Sequence, residues 1–103
     1  MKQSQAASCP TAALKMLGDF WTLSIIETLH TGEKRFCQIE RELENINPVT
    51  LTNRLKKLEQ EKIIRRLEET VDKLSVTYSL TDKGTAIMPI IRAIAKFSTN
   101  HLG

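Results

Sequence analysis

The sequence predicts a mostly α-helical single domain completed by a small β-hairpin. Three observations carry that reading. Between residues 10 and 61, apolar side chains recur every three or four positions, the period of helices that bury one face. Residues 74–80 instead alternate apolar and polar at every step, the period of a half-buried strand. The C-terminal segment then returns to a helical pattern with a broad apolar face.

The first helix is expected to start near Pro10, because proline's missing N–H costs nothing in a first turn. Ala13, Leu14 and Leu17 form its apolar stripe, and Gly18 ends it. A second helix is expected from about Phe20 to His30, where Trp21, Ile25 and Leu29 recur at spacing four and Ile26 widens the face. Gly32 is a suitable stop beyond it. The third is expected over about residues 36–44, with Phe36, Ile39 and Leu43 inward and Glu40, Arg41, Glu42 and Glu44 wet. Residues 45–48, Asn-Ile-Asn-Pro, read as a tight turn, and Asn47 as the N-cap of a fourth helix over about residues 48–61. Leu51, Leu55 and Leu58 mark its buried stripe.

Ile63, Leu67 and Val71 fit either a ragged strand or a helix end. Paired with the strand at 74–80, that segment makes a hairpin turning near Asp72 and Lys73, with no Asn-Gly or Asp-Gly to fix the turn type. Thr81 is expected to cap a last helix over about residues 82–100, which Pro89 should kink or split. Compact helices followed by a two-stranded hairpin describe a winged helix-turn-helix.

Bulk properties agree. At 103 residues, with 41% hydrophobic and 26% charged side chains, the chain suits one globular domain rather than a disordered segment. Residues 1–8 read as a flexible N-terminal arm and 9–103 as the domain. So small a core would gain from burial between two copies. The net charge of +3 permits a polyanionic partner without proving one. Residues 1–8 have no apolar core of the secretory kind, and no apolar run approaches the roughly 20 residues that span a bilayer. The expected compartment is therefore the cytoplasm, with Cys9 and Cys37 reduced; two cysteines make neither a disulfide framework nor a zinc site.

The fourth helix carries the chemistry. Opposite its leucines, at about 100° per residue, lie Val49, Asn53, Lys56 and Lys57. Thr50 and Arg54 flank that face on one side and Thr52 on the other. Small polar groups toward the N-terminus with cations further along suit a helix in the major groove, where the former reach base edges and the latter neutralise phosphates. Asn53 offers the acceptor–donor pair that adenine's edge requires, and Val49 and the Thr50 methyl can meet a thymine methyl. The blander alternative is a solvated face with lysines for solubility. Arg65, Arg66 and Lys73 add cations on the hairpin, partly cancelled by Glu68, Glu69 and Asp72.

Several short motifs now line up. Cys9-Pro10, the run Gly18 to Leu23, Arg35-Phe36, the run Ile46 to Leu55 and the run Tyr78 to Gly84 together resemble the HxlR-type winged helix-turn-helix regulators, of the broader MarR/HxlR-like kind. Each is weak alone; their common order from Cys9 to Phe97 is specific. The resemblance implies a homodimeric regulator of transcription, with the terminal helices building the dimer. The expected contacts are Leu14, Ile87, Ile90, Ile91, Ile94 and Phe97. It also implies that the fourth helix enters the major groove, while the hairpin touches the backbone or minor groove. Asn47, Val49, Thr50, Thr52, Asn53, Arg54, Lys56, Lys57, Arg66 and Lys73 are the residues expected at the double-stranded DNA. The chain departs from the family pattern at Phe20, where lysine is common, and at Lys62, where glycine is frequent. It also departs at Thr77, where glutamate is common, and in a wing without the usual prolines.

Some family members sense oxidants or electrophiles through an N-terminal cysteine, and Cys9 matches that position. A thiol at a helix N-terminus feels the positive end of the dipole, which favours the thiolate. The competing reading is a small residue buried at the dimer contact. Trp21 reads as a core anchor, and Cys37 as core-packed or partly exposed. His30 and His101 have no ligand-like partners, so neither a metal nor a cofactor is expected. No nucleophile–base motif or phosphate-binding glycine loop is present, which argues against an enzyme. The alternative class is a winged-helix protein-interaction module that binds no DNA, for which the weakly basic wing is the best support. No effector molecule can be named from the residues.

Overall fold

The computed structural model describes residues 10–69 and 75–102. The expected arm, Cys9, Lys73 and the hairpin turn lie outside the described residues. Helix α1 spans Pro10–Leu17 and α2 spans Phe20–His30. A two-residue strand β1 (Lys34–Arg35) leads into α3 (Phe36–Glu42), and α4 follows over Pro48–Gln60. Strands β2 (Ile64–Glu69) and β3 (Ser75–Leu80) come next. Then come α5 (Asp82–Thr85), α6 (Met88–Phe97) and a closing π-helical turn, Ser98–Leu102.

The core forms where the helical stripes meet. Ile25, Ile26 and Leu29 of α2 pack with Ile39 of α3 and with Leu51, Leu55 and Leu58 of α4. Ile46 from the turn, Ile63 just before β2 and Ile64 at its start complete this cluster together with Ile87, Met88 and Ile91. Trp21, Phe36, Tyr78 and Leu80 pack against its edge. Burial of these side chains at about 25 cal/mol per Å² is the main force holding α4 to the body.

Of the segment left ambiguous by its spacing, Leu67 lies on strand β2, Ile63 immediately precedes that strand, and Val71 lies outside the described residues. Ile64 is buried while the rest of β2 is exposed, so the hairpin projects from the core as a wing. The sheet has a third member that periodicity did not reveal. β1 pairs antiparallel with β3, Lys34 opposite Tyr78 and Arg35 opposite Thr77, giving the order β1-β3-β2. A two-residue strand is too short to show a period, and it forms only because β3 presents an edge to it. Being central, β3 is half-buried at every position, although its sequence alternates. Gly32, with φ 142°, turns the chain from α2 toward β1 in a conformation that side chains disfavour.

The last helix divides before Pro89, leaving α5 and α6. Pro89 sits in the first turn of α6, where its missing N–H costs nothing. The division corrects the expected dimer set. Ile87 and Ile91 are only 7% and 8% exposed and belong to the chain's own core, because they share an inward face with Met88. Ile90, Ile94 and Phe97 follow the opposite face at i, i+4 and i+7 and remain 45–56% exposed.

Candidate nucleic-acid interface

Helix α4 is anchored at both ends. The Asn47 side-chain oxygen accepts from the backbone N–H of Val49 at 2.7 Å and of Thr50 at 3.4 Å, so Asn47 serves as the N-cap, with Pro48 beginning the first turn. At the far end, the Thr81 hydroxyl donates to the Lys62 carbonyl at 2.6 Å, and Lys83 Nζ donates to the Glu61 carbonyl at 2.8 Å. Thr81 also caps α5, accepting from the Gly84 N–H at 3.1 Å. Between these anchors Leu51, Leu55 and Leu58 are buried, which fixes the rotation of the helix about its axis.

That rotation turns Val49, Asn53, Lys56 and Lys57 outward, all exposed, with Thr50, Thr52 and Arg54 half-buried at the margins. Val49, an apolar residue near the N-terminus of the helix, is 66% exposed.

Two of the expected DNA-facing cations are engaged within the chain. Arg54 grips Asp19 at the start of α2 with two parallel bonds, Nε to Oδ2 at 2.7 Å and Nη2 to Oδ1 at 3.1 Å. The same carboxylate caps α2, accepting from the Thr22 N–H at 2.9 Å and the Thr22 hydroxyl at 2.8 Å. Arg54, and after it Thr22, hold the Asp19 carboxyl far below the usual carboxylate range against the opposing effect of burial. Arg54 is therefore a brace between α2 and α4 rather than a free phosphate contact. Arg66 is paired with Glu68 at 2.5 Å, and Glu68 and then the Tyr78 hydroxyl raise its pKa. The expected wing cation at Lys73 lies outside the described residues.

Sequence reasoning missed Asp19, although an Asp directly before an apolar helical run is a cap signal. It also missed Lys15, whose place beside α4 depends on how α1 crosses the body. Clefts flank α4 on both sides. One, toward the wing, is lined by Phe36, Thr52, Lys56, Glu59, Arg66 and Tyr78. The other, toward α1, is lined by Lys15, Asp19, Thr22, Asn53, Arg54 and Lys57. Cys37 is exposed on α3. Among the described residues no helix is long and apolar enough to cross a membrane, and no three His, Cys, Asp or Glu side chains converge as metal ligands would.

A capped, leucine-anchored helix presenting Asn, Thr and Lys beside a projecting hairpin defines a winged helix-turn-helix DNA-binding regulator of transcription. The chain belongs to the HxlR-like helix-turn-helix family, whose pattern it matches over residues 16–103. It is 37% identical over 101 residues to YvaP of Bacillus subtilis, an HTH-type transcriptional regulator, covering 96% of this chain and 94% of the relative. It is 37% identical over 86 residues to the HTH-type transcriptional regulator YodB of the same organism, covering 82% of this chain and 77% of the relative. The solved structure of reduced YodB superposes with a TM-score of 0.82 over 90% of this chain and 93% of that one, at 34% identity. YodB has also been solved in diamide-treated and quinone-bound forms. The redox regulator HypR in its reduced form superposes with a TM-score of 0.80 at 27% identity, covering 87% of this chain and 89% of that one.

Proposed function

We propose that the chain acts as a homodimer in the cytoplasm, where the chromosome is, and reads an operator through α4 in the major groove of each half-site without catalysing any reaction. The observation that carries the reading is the outward face of α4, where Asn53, Lys56 and Lys57 project from a helix locked by its leucines. Thr50 and Thr52 add hydroxyls at its margins, and the wing lies along the adjacent backbone. The exposed apolar residues Leu14, Ile90, Ile94 and Phe97 support a second copy as the partner that covers them. That YodB has been solved diamide-treated and quinone-bound, and that HypR is a redox regulator, supports a thiol-based signal here, for which Cys9 is the candidate.

The test is binding to the gene's own upstream DNA against a scrambled duplex at several salt concentrations. Asn53→Ala is expected to weaken binding and relax base preference, at a cost of about 1–3 kcal/mol. Lys57→Ala is expected to weaken binding to both duplexes and to make the salt dependence shallower by about one unit. Equal, weak binding to both duplexes by the wild type would favour a protein-interaction module instead.

A further inference from the structure

A helix with its side chains is about 10–12 Å across and the major groove is about 12 Å wide, so a helix seated in the groove fills it. The phosphates of the two groove rims then meet whatever flanks the helix. On one flank of α4 that is the wing cleft with Lys56 and Arg66. On the other it is the cleft of about 380 Å³ between the last turn of α1, the first turn of α2 and the middle of α4. Lys15, Arg54 and Lys57 bring three positive charges to that second cleft, and Asp19 brings one negative charge. Asp19 is wholly occupied by Arg54 and Thr22. Among the described residues, Lys15 and Lys57 make no ion pair, so two cations face the cleft unmatched. Asn53, the candidate base reader, lines the same cleft, one helical turn before Lys57.

We propose that this cleft is a seat for the DNA backbone, in which Lys15 from α1 and Lys57 from α4 bracket a phosphodiester on the groove rim away from the wing. The inference rests on the reading that α4 enters the major groove, and it makes α1 a DNA-contacting element. The Asp19–Arg54 pair forms the floor of the seat and ties the start of α2, next to the end of α1, to α4. A phosphate held here fixes the depth and tilt of α4 and carries no sequence information itself.

Lys15 is exposed and contributes nothing to the core, so Lys15→Gln leaves the fold intact. Its binding to the upstream duplex and to a scrambled duplex, measured across a salt series, is expected to weaken several-fold on both. The salt dependence should become shallower by about one unit, with the ratio between duplexes unchanged. Lys15→Arg should restore the wild-type slope, and Lys96→Gln, on α6, should not alter it. A Lys15→Gln protein with wild-type affinity and slope overturns the seat while leaving the proposed function standing. An equal loss in Lys96→Gln also overturns it, because overall charge rather than the cleft would be responsible. A wild-type protein that binds neither duplex overturns the proposed function and the seat with it.

Discussion

Asp19 shows how much one side chain can organise. Its carboxylate closes the first turn of α2 and grips Arg54 on α4, so it links an N-cap to the orientation of the reading helix. Both partners are about a third exposed, at 34% and 32%, and water screens the pair. Asp19→Ala should therefore destabilise the fold by about 1–2 kcal/mol at neutral pH. Because the folded carboxyl is held below its unfolded value near 4, its contribution is complete above that pH and is lost as pH falls. Denaturant titrations of wild type and variant should thus converge in acid, and a gap that stays constant below pH 4 would contradict the assignment. At the same scale, Cys9→Ser tests the proposed signal. Mild oxidant is expected to change the DNA affinity of the wild type and not of the variant, and an identical response in both would remove Cys9 from the mechanism.

Elements matter here through their ends as much as their faces. The C-terminus of α4 is clasped by Thr81 and Lys83, and α5 comes so close that a Cβ on Gly84 would fall well inside contact with the Ile63 carbonyl oxygen and 2.9 Å from Leu80 Cδ2. The Ile63 carbonyl is backbone, so it cannot give way as a side-chain end could. Gly84→Ala should cost about 1–3 kcal/mol, measured by thermal or denaturant unfolding. A variant as stable as wild type would show that the close approach is not needed. The clasp also joins the reading helix to α5 and so to α6, because Thr81 bonds to both sides of the junction.

For the whole molecule the unanswered surface is the apolar one. Leu14, Phe20, Ile94, Phe97 and Leu102 are each at least half exposed, and the proposed second copy would take them out of water. Ile94→Glu should convert the proposed dimer to a folded monomer in sedimentation velocity, because Ile94 is 50% exposed in a single chain and its replacement leaves the core intact. DNA affinity should fall with it, since two half-sites would no longer be bound together. A variant that remains dimeric would place the contact elsewhere.

The sequence by itself determined every helix of the body and the kind of protein they make. The stripes at Ile25 and Leu29, Leu51, Leu55 and Leu58 have one burial solution, and Asn47, Pro48 and Thr81 act through neighbours only a few residues away. Such local rules are written in spacing, which is why the outward face of α4 was legible before the fold was known. Only the tertiary structure decided what depends on residues far apart in the chain. It paired β1 with β3, and it turned Ile87 and Ile91 inward while leaving Ile90 and Ile94 outside. It also joined Arg54 to Asp19, 35 positions away, and brought Lys15 to the flank of α4. Each of these follows from how packed elements cross, and periodicity along a single element carries no record of its neighbour.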